Sequence, residues 1–210
     1  AFKEELSQSL CSEPVGTLLH QGIESGYREA VEQLAKRRGV QVLATGPSGD
    51  GPCEAGACLL HVDFASFIED PKLQREVFGP GIMILECDTA AQYLEVARVL
   101  EGQLTATVQA TEEELAAMDS LVHLLEDRAG RLVFNGFPTG VEVGEAMQHG
   151  GPWPATTDSR WTSVGSAAIQ RFLRPVCWQG FPDAVLPDEL RSGASGMRRV
   201  DGQWQESGNS

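Results

Sequence analysis

The sequence predicts an α/β fold in which a mostly parallel sheet is flanked by helices. Short apolar segments typical of strands alternate along the chain with amphipathic segments at helical spacing. The connections between them are short over residues 82–134, so each strand–helix–strand unit is expected to cross over the sheet and leave its strands parallel. A chain of 210 residues that is 41% hydrophobic can bury such a core.

The first part of the chain is predicted to form helices at residues 2–10 and 23–39, strands at 40–43 and 58–62, and a Gly- and Pro-rich surface loop at 45–56. Both helices carry apolar residues at helical spacing on one face. The second closes with a basic run and a glycine at 36–39, which is a typical helix end because positive side chains there lie at the negative end of the helix dipole.

The middle of the chain repeats a strand–helix pattern, with strands at 82–85, 104–108 and 131–134 and helices at 89–100 and 111–128. Residues 82–85 (Ile-Met-Ile-Leu) form a continuous apolar run, which predicts a strand buried on both faces. Thr111 and Glu114 form a capping box that opens the last helix, and Gly130 is expected to end it.

The C-terminal part changes in character after Asn135. Gly and Pro are dense through Pro154, which predicts an irregular loop. A helix is expected at 164–171 and an extended segment at 172–181. The polar tail, residues 192–210, is expected to be disordered near its end.

Composition argues against several classes of partner. The net charge of −14 disfavours nucleic acid and anionic membranes, since both are bound by clustered Lys and Arg. The sequence contains no apolar run of membrane-spanning length and no signal-peptide pattern. Five cysteines, an odd number at wide spacing, favour reduced thiols in a cytoplasmic protein. Cys53 and Cys58 lack a second pair or a histidine at ligand spacing, so no metal site is predicted.

The most informative segment is residues 76–80, Glu-Val-Phe-Gly-Pro, which leads directly into the apolar strand. A carboxylate here could accept hydrogen bonds from a ribose diol, and a Phe two residues later could lie against a planar heterocycle. Gly-Pro lets the backbone turn sharply into the sheet, and α/β sheets bind ligands at strand ends. On these physical grounds alone, a solvated Glu76 and a core Phe78 beside a turn are the favoured alternative.

Residues 76–80 are also similar to the Glu-(Ile/Val)-Phe-Gly-Pro motif of the aldehyde dehydrogenase superfamily. The resemblance, which is to the C-terminal part of that family's catalytic domain, continues through residues 58–63, 104–108, 132–136, 162–165 and 172–176. In that family the glutamate binds the nicotinamide ribose and the phenylalanine packs near the nicotinamide ring. The resemblance therefore implies the catalytic-domain fold, and it implies that Glu76 and Phe78 bind NADP or NAD.

Residues 135–143 and 149–157 resemble the branch of this family that prefers NADP and oxidises 2,5-dioxopentanoate, also called α-ketoglutaric semialdehyde. Fatty-aldehyde dehydrogenases share parts of the pattern, so a long-chain aldehyde is an alternative substrate. The resemblance implies that Phe137 and Trp153 wall an aldehyde tunnel and that His149 meets a substrate carboxylate. Ordinary loop packing explains the two aromatic residues equally well, and a histidine satisfied by backbone is favoured for His149.

The family's mechanism implies attack of a cysteine thiolate on the aldehyde, hydride transfer to the nicotinamide, and thioester hydrolysis assisted by a carboxylate base. The family separates this cysteine from the motif by more than the 75 residues that precede Glu76. The nucleophile and the general base are therefore expected upstream of Ala1, where the chain begins without Met as if cut within a helix. Cys11 lacks the family's Gly-Gln-x-Cys context, so no catalytic residue is expected in this chain.

Residues 172–181 resemble the strand with which this family joins its subunits, so a homo-oligomer, dimer or tetramer, is expected. An edge strand within one subunit is the alternative. The expected organisation is a partial catalytic domain at 1–160, a C-terminal helix and oligomerisation strand at 161–191, and the polar tail. The predicted function is part of an oxidoreductase that converts a small aldehyde into a carboxylic acid, inactive by itself, and a non-catalytic binding or assembly module is the alternative.

Overall fold

The computed structural model describes residues 1–49 and 51–207, and the chain divides into two compact units, Ala1–Ala168 and Ile169–Ser210. The helices are α1 (Phe2–Ser12), α2 (Gln21–Ala35), α3 (Phe64–Glu69), α4 (Ala90–Val99), α5 (Glu112–Ala117) and α6 (Asp119–Glu126). The strands are β1 (Gly16–Thr17), β2 (Val40–Thr45), β3 (Glu54–Ala55), β4 (Cys58–Asp63), β5 (Gly81–Glu86), β6 (Gln103–Val108), β7 (Ala129–Phe134), β8 (Gly196–Val200) and β9 (Gln203–Ser207). Short 3-10 helices lie at Pro71–Gln74, Ser166–Phe172, Asp183–Val185 and Asp188–Leu190. Among the described residues, no helix is long and apolar enough to cross a membrane.

The first unit is an α/β structure, as the sequence predicts. Strands β2, β4 and β5 form a three-stranded sheet in that order, and β6 pairs with β7. The β4–β5 and β6–β7 pairs are parallel, whereas β2 runs antiparallel to β4. In the described part of the connection from β2 to β4, residues 46–49 and 51–57, β3 pairs with β1 and no crossover helix is present. Antiparallel pairing of β2 with β4 follows from such a connection.

Strand β4 is the buried centre of the three-stranded sheet. On one face, Leu60 and Val62 belong to a cluster of buried side chains that includes Tyr27 and Leu34 of α2. On the other face, Leu59 is fully buried and packs with Leu10 of α1. Alternation of side chains along the strand therefore joins α1 and α2 through opposite faces of one sheet.

Strand β5 differs from the prediction. It contains the apolar run 82–85, yet it lies at the edge of the sheet and its side chains range from half-buried to exposed. Ile82 is 47% exposed, whereas its register partner Leu59 is 0% exposed. The prediction of a strand buried on both faces is therefore wrong for β5 and describes β4 instead. A short apolar run shows that a segment can enter a sheet, but the position of a strand within the sheet depends on distant partners.

Helix α2 and its exit match the sequence signals. The N-cap His20 accepts a hydrogen bond at Nδ1 from the Gly22 N–H at 3.1 Å. After the helix, Gly39 adopts a φ of 76°, which L side chains rarely tolerate. A Cβ atom at this position would also lie 2.0 Å from Ser66 Oγ. The predicted helix end at 36–39 is confirmed.

The predicted helix 111–128 is present as two helices. Thr111 and Glu114 form the expected capping box at the start of α5. At Met118 the backbone leaves helical geometry, with φ −115° and ψ 30°, and α6 starts at the next residue. Gly130 lies inside β7, so the helix ends before it. Helix α3 is an addition, because its six residues are too few to show a clear period in the sequence.

From residue 164 onward, the chain contains more regular structure than predicted at its end and less at its beginning. The helix expected at 164–171 is a 3-10 helix, Ser166–Phe172. Residues 173–181, expected to be extended, carry no regular secondary structure apart from a bend at Gly180, and within the described chain they form no strand pairing. The polar tail, expected to be disordered near its end, forms an antiparallel hairpin of β8 and β9 up to Ser207, closed by Asp201 and Gly202 at positive φ. The last three residues of that tail lie outside the described residues.

Candidate cofactor and substrate site

The segment that carries Glu76 is fixed at its start by a capped 3-10 helix. Asp70 is the N-cap of Pro71–Gln74 and accepts a hydrogen bond from the Lys72 N–H at 3.1 Å. The same carboxylate pairs with the Arg37 guanidinium, and this hydrogen bond lowers the pKa of Asp70. The chain therefore leaves the core of the first unit from an anchored point just before Glu76.

Tyr27 of α2 contacts the turn at the end of the segment, which Gly79 and Pro80 form. The phenolic O–H of Tyr27 lies 3.0 Å from the Gly56 carbonyl and 3.1 Å from the Pro80 carbonyl, so it donates to both as a shared hydrogen bond. Gly79 rests on the tyrosine ring, since a Cβ atom there would lie 2.4 Å from a ring carbon. Burial disfavours the phenolate and raises the pKa of Tyr27 to about 12. Tyr27 thus remains a neutral donor that holds Gly79 and Pro80 against the sheet.

Glu76 and Phe78 line one cavity of about 560 Å³ beside the entrance to β5. Phe78 is 65% exposed, so the alternative of a core phenylalanine is wrong. Glu76 is exposed as well, and within the described part of the chain it takes part in no salt bridge. The rest of the lining is largely apolar and includes Leu18, Leu19, Ile23, Leu60 and Met83. The carboxylate of Glu76 and the exposed ring of Phe78 therefore lie beside the same largely apolar cavity.

Glu76 also lines a second cavity of about 430 Å³, between its own segment and the start of β6. This cavity is more polar than the first. Its other lining residues are Gln74, Glu101, Gly102, Gln103, Leu104, Thr105, Pro154 and Ala155. The structure thus brings the predicted cofactor-binding glutamate next to the loop that contains Trp153.

The backbone of the loop 148–155 lies in direct contact with the backbone at the starts of β6 and β7. Gly102 donates its N–H to the Trp153 carbonyl at 3.2 Å, and a Cβ atom on Gly102 would lie 2.1 Å from the Pro152 carbonyl oxygen. A Cβ atom on Gly130 would lie 1.8 Å from the Gly150 carbonyl oxygen. Glycine is required at these positions because a methyl group would displace the loop from the sheet.

His149 is held through its backbone. Its N–H donates to Thr162 Oγ1 at 2.9 Å, and its carbonyl accepts hydrogen bonds from Ser163 N–H at 3.0 Å and Ser163 Oγ–H at 2.8 Å. The ring atom Nδ1 is buried, and no hydrogen-bond partner for it is present among the described residues. The backbone is therefore satisfied as the alternative interpretation predicts, while the imidazole itself is left with an unused nitrogen.

Phe137 and Trp153 lie at opposite ends of the β6–β7 pair. Trp153 contacts the residue that precedes β6, and Phe137 lies three residues after Phe134, the last residue of β7. A six-residue strand separates the two ends by about 17 Å. Both rings are largely exposed, and neither cavity includes Phe137, His149 or Trp153 in its lining. The structure places only Trp153, through its neighbour Pro154, close to Glu76.

Comparison with known sequences identifies relatives over most of the chain. No protein-family model matches it. It is 44% identical over 190 residues to alpha-ketoglutaric semialdehyde dehydrogenase 2 of Azospirillum brasilense, covering 90% of this chain and 36% of that protein. It is 45% identical over 177 residues to alpha-ketoglutaric semialdehyde dehydrogenase of Acinetobacter baylyi, covering 84% and 34%. This chain belongs to the aldehyde dehydrogenase family. It spans about a third of the length of these two relatives.

Solved structures agree with this aldehyde dehydrogenase assignment at the level of the fold. Delta-pyrroline-5-carboxylate dehydrogenase of Mycobacterium tuberculosis matches with a TM-score of 0.61 at 21% identity, over 80% of this chain and 32% of its own. A salicylaldehyde dehydrogenase of Pseudomonas putida G7 matches with a TM-score of 0.61 at 16% identity, over 81% and 34%. The fold predicted from the resemblance is confirmed.

Two residues that shape the site of this aldehyde dehydrogenase chain are missing from the sequence prediction. Tyr27 supports the turn before β5, and a buried tyrosine in an amphipathic helix is a usable signal because its O–H needs a partner. Gln74 has no such signal, since its contact lies 27 residues away at Glu101. Of the cysteines, Cys58 lines the first cavity, but burial raises the pKa of its thiol and so disfavours the nucleophilic thiolate.

Proposed function

We propose that this chain contributes the nicotinamide side of the cofactor site, and part of the substrate site, to an enzyme that oxidises an aldehyde to a carboxylic acid with NADP or NAD. The observation that carries the proposal is the joint presence of Glu76 and Phe78 at one cavity beside β5. The two relatives named alpha-ketoglutaric semialdehyde dehydrogenase support it.

The residues present fit a ribose and its attached ring. The cavity volume of about 560 Å³ falls in the usual range for small-molecule sites. The carboxylate of Glu76 accepts hydrogen bonds from two vicinal hydroxyls, and the exposed ring of Phe78 offers an apolar face to a planar heterocycle. A bound nicotinamide dinucleotide would supply the hydride acceptor. Tyr27 and Gly79 keep the two side chains on one rigid turn.

For the substrate we propose 2,5-dioxopentanoate or a related semialdehyde, with a long-chain fatty aldehyde as the alternative. The names of the two relatives support the first. Trp153 precedes Pro154, which lines the second cavity with Glu76, and it would wall the aldehyde channel. His149, with its unused Nδ1, would bind the substrate carboxylate. Phe137 would contribute to the wall of the aldehyde channel from the opposite end of the β6–β7 pair.

None of the five cysteines is proposed as the nucleophile, and we expect the 210-residue chain by itself to lack dehydrogenase activity. We further propose a homo-oligomer, dimer or tetramer, joined through residues 172–181, and a cytoplasmic location. All five cysteines are free, which agrees with a reducing compartment.

The test uses the full-length protein that carries these residues. Glu76→Gln keeps the shape of the side chain and removes its charge, and the dissociation constants of NADP and NAD should rise about tenfold or more, since a hydrogen bond to a charged group contributes about 1.5–3 kcal/mol. Binding is measured by calorimetry, and turnover is then compared with 2,5-dioxopentanoate and with a long-chain aldehyde.

Glu95→Gln, an exposed glutamate of α4, is the matched control and should bind as the wild type does. A wild-type protein that binds neither dinucleotide would overturn the enzyme proposal in favour of a non-catalytic module. Equal affinities of the Glu76 and Glu95 variants would remove Glu76 from the site.

A further inference from the structure

The side chain of Gln74 joins the Glu76 segment to the start of β6. Gln74 is the last residue of the 3-10 helix Pro71–Gln74, two residues before Glu76. Its Oε1 accepts a hydrogen bond from the Glu101 N–H at 2.9 Å. The contact bridges 27 residues of sequence and crosses the rim of the 430 Å³ cavity, which both residues line.

The N–H of Gly102, the residue after Glu101, binds the loop that contains Trp153. Gly102 is buried and donates its N–H to the Trp153 carbonyl at 3.2 Å. Two consecutive amides, Glu101 and Gly102, therefore hold two different loops, one leading to Glu76 and the other containing Trp153. Because consecutive Cα atoms are about 3.8 Å apart, these two hydrogen bonds attach both loops to neighbouring points of one backbone segment.

These two amides are available because they precede the strand ladder. The first residue of β6, Gln103, already donates its N–H to the Arg128 carbonyl at 2.7 Å. The amides before it lie outside the β6–β7 pairing and would otherwise need water. Gln74 is suited to this position because its amide oxygen reaches a backbone N–H without bringing a third carboxylate next to Glu76 and Glu101.

We propose that Gln74 is a positioning residue that sets the spacing between the cofactor-binding Glu76 and the substrate loop at Trp153. The inference rests on the function proposed above. Gln74 touches neither substrate nor cofactor in this role, and it acts through the Glu101–Gly102 junction. Loss of the link leaves each loop intact and allows them to move relative to each other, which lowers turnover because hydride transfer depends on alignment of the two bound molecules.

The experiment compares three variants of the full-length protein. Gln74→Met keeps the length of the side chain and removes the strong acceptor, while Gln74→Glu retains an acceptor oxygen. Gln92→Met is the matched control, because Gln92 Oε1 also accepts a backbone N–H, that of Asp88 at 2.6 Å, and it lines neither cavity. All are measured at 0.15 M salt, where the added charge of Gln74→Glu is screened beyond about 8 Å.

Two readouts separate positioning from binding. In Gln74→Met, hydrogen exchange of the Glu101 amide should become about threefold to tenfold faster, and kcat should fall by a similar factor, as expected for loss of one neutral hydrogen bond. The dissociation constant of the dinucleotide should change less than twofold. Gln74→Glu keeps the acceptor oxygen and should restore slow exchange of the Glu101 amide, and Gln92→Met should match the wild type in both readouts.

Unchanged kcat in Gln74→Met, an equal loss in Gln92→Met, or failure of Gln74→Glu to restore slow exchange of the Glu101 amide each overturns the positioning role. A dinucleotide dissociation constant that rises as much as kcat falls also overturns it, because Gln74 would then act on cofactor binding. Absence of turnover in the wild type is the separate result that removes the proposed function itself.

Discussion

At the scale of single residues, Asp63 shows how one carboxylate organises the end of a strand. Its Oδ1 accepts the Ser66 N–H at 2.9 Å and its Oδ2 accepts the Ser66 Oγ–H at 2.8 Å, which starts α3 directly after β4. These hydrogen bonds stabilise the charged form and hold the pKa of Asp63 below its usual value of 3.8. Gly39 packs against the same pair, since a Cβ atom there would lie 2.3 Å from Asp63 Oδ2.

The lowered pKa of Asp63 predicts a loss of stability in acid. A group whose pKa is lower in the folded than in the unfolded state stabilises the fold above its unfolded pKa, and this stability is lost as the pH falls through the folded pKa. Asp63→Asn still caps α3 but cannot titrate, so its free energy of unfolding should depend less on pH below about pH 4. Urea unfolding followed by circular dichroism over a pH series measures this.

The control for this experiment is Asp127→Asn, at the exposed end of α6. It should keep the pH dependence of the wild type. Identical pH profiles for the wild type and Asp63→Asn would show that the hydrogen bonds to Ser66 do not contribute.

At the scale of elements, the order of strands decides which apolar segment forms the core. Both β4 and β5 have apolar sequences, and they pair in parallel with Leu59 opposite Ile82. Of these two described strands, β4 has neighbours on both sides, β2 and β5, and β5 lies at the edge. Residues 82–85 have the more uniform apolar sequence, but the central position of β4 is what buries Leu59 and Val62 completely.

This difference predicts unequal costs for two truncations at one register position. Leu59→Ala should lower the free energy of unfolding by about 2–5 kcal/mol, because it leaves a cavity in a closed site. Ile82→Ala should cost about 1 kcal/mol or less, because much of its side chain is already exposed to water. Urea unfolding of the two variants gives the comparison directly. Equal costs would mean that another element covers β5 in solution.

At the scale of the whole molecule, charge is concentrated in the first unit. Residues 169–210 contain five Arg and five Asp or Glu, so their formal charge is zero, and the remaining −14 belongs to residues 1–168. The second unit, like the first, exposes large apolar side chains, among them Phe172 at 85% and Leu173 at 64%. Neighbouring exposed apolar side chains are typical of an interface between chains.

We therefore expect Phe172→Ser to weaken self-association. Sedimentation velocity of the full-length protein over a concentration series should show a smaller species for the variant at concentrations where the wild type is a dimer or tetramer. Phe2→Ser, at a residue of the first unit that is 71% exposed, is the control and should leave the mass unchanged. A wild-type mass of one chain at all concentrations would contradict the proposed oligomer.

Much of the site follows from the motif 76–80, but its surroundings do not. The motif and its resemblance predict that Glu76 and Phe78 act together, and the structure places both at one cavity. Exposure of Phe78 was not predictable from physical pattern alone, because an aromatic residue before an apolar strand is more often buried. The roles of Phe137, His149 and Trp153 remain predictions, and the distance of Phe137 from the other two residues depends on how the long loop after β7 folds back.

The α/β class, the family and the positions of most helices and strands follow from the sequence alone, because apolar periodicity, caps and short motifs are local properties. The order of strands, the break at Met118, the hairpin at the C-terminus and the link from Gln74 to Glu101 become visible only in the folded chain. Such features depend on contacts between residues far apart in the chain. Their free energy comes from burial and hydrogen bonding with distant partners, which a local pattern does not encode.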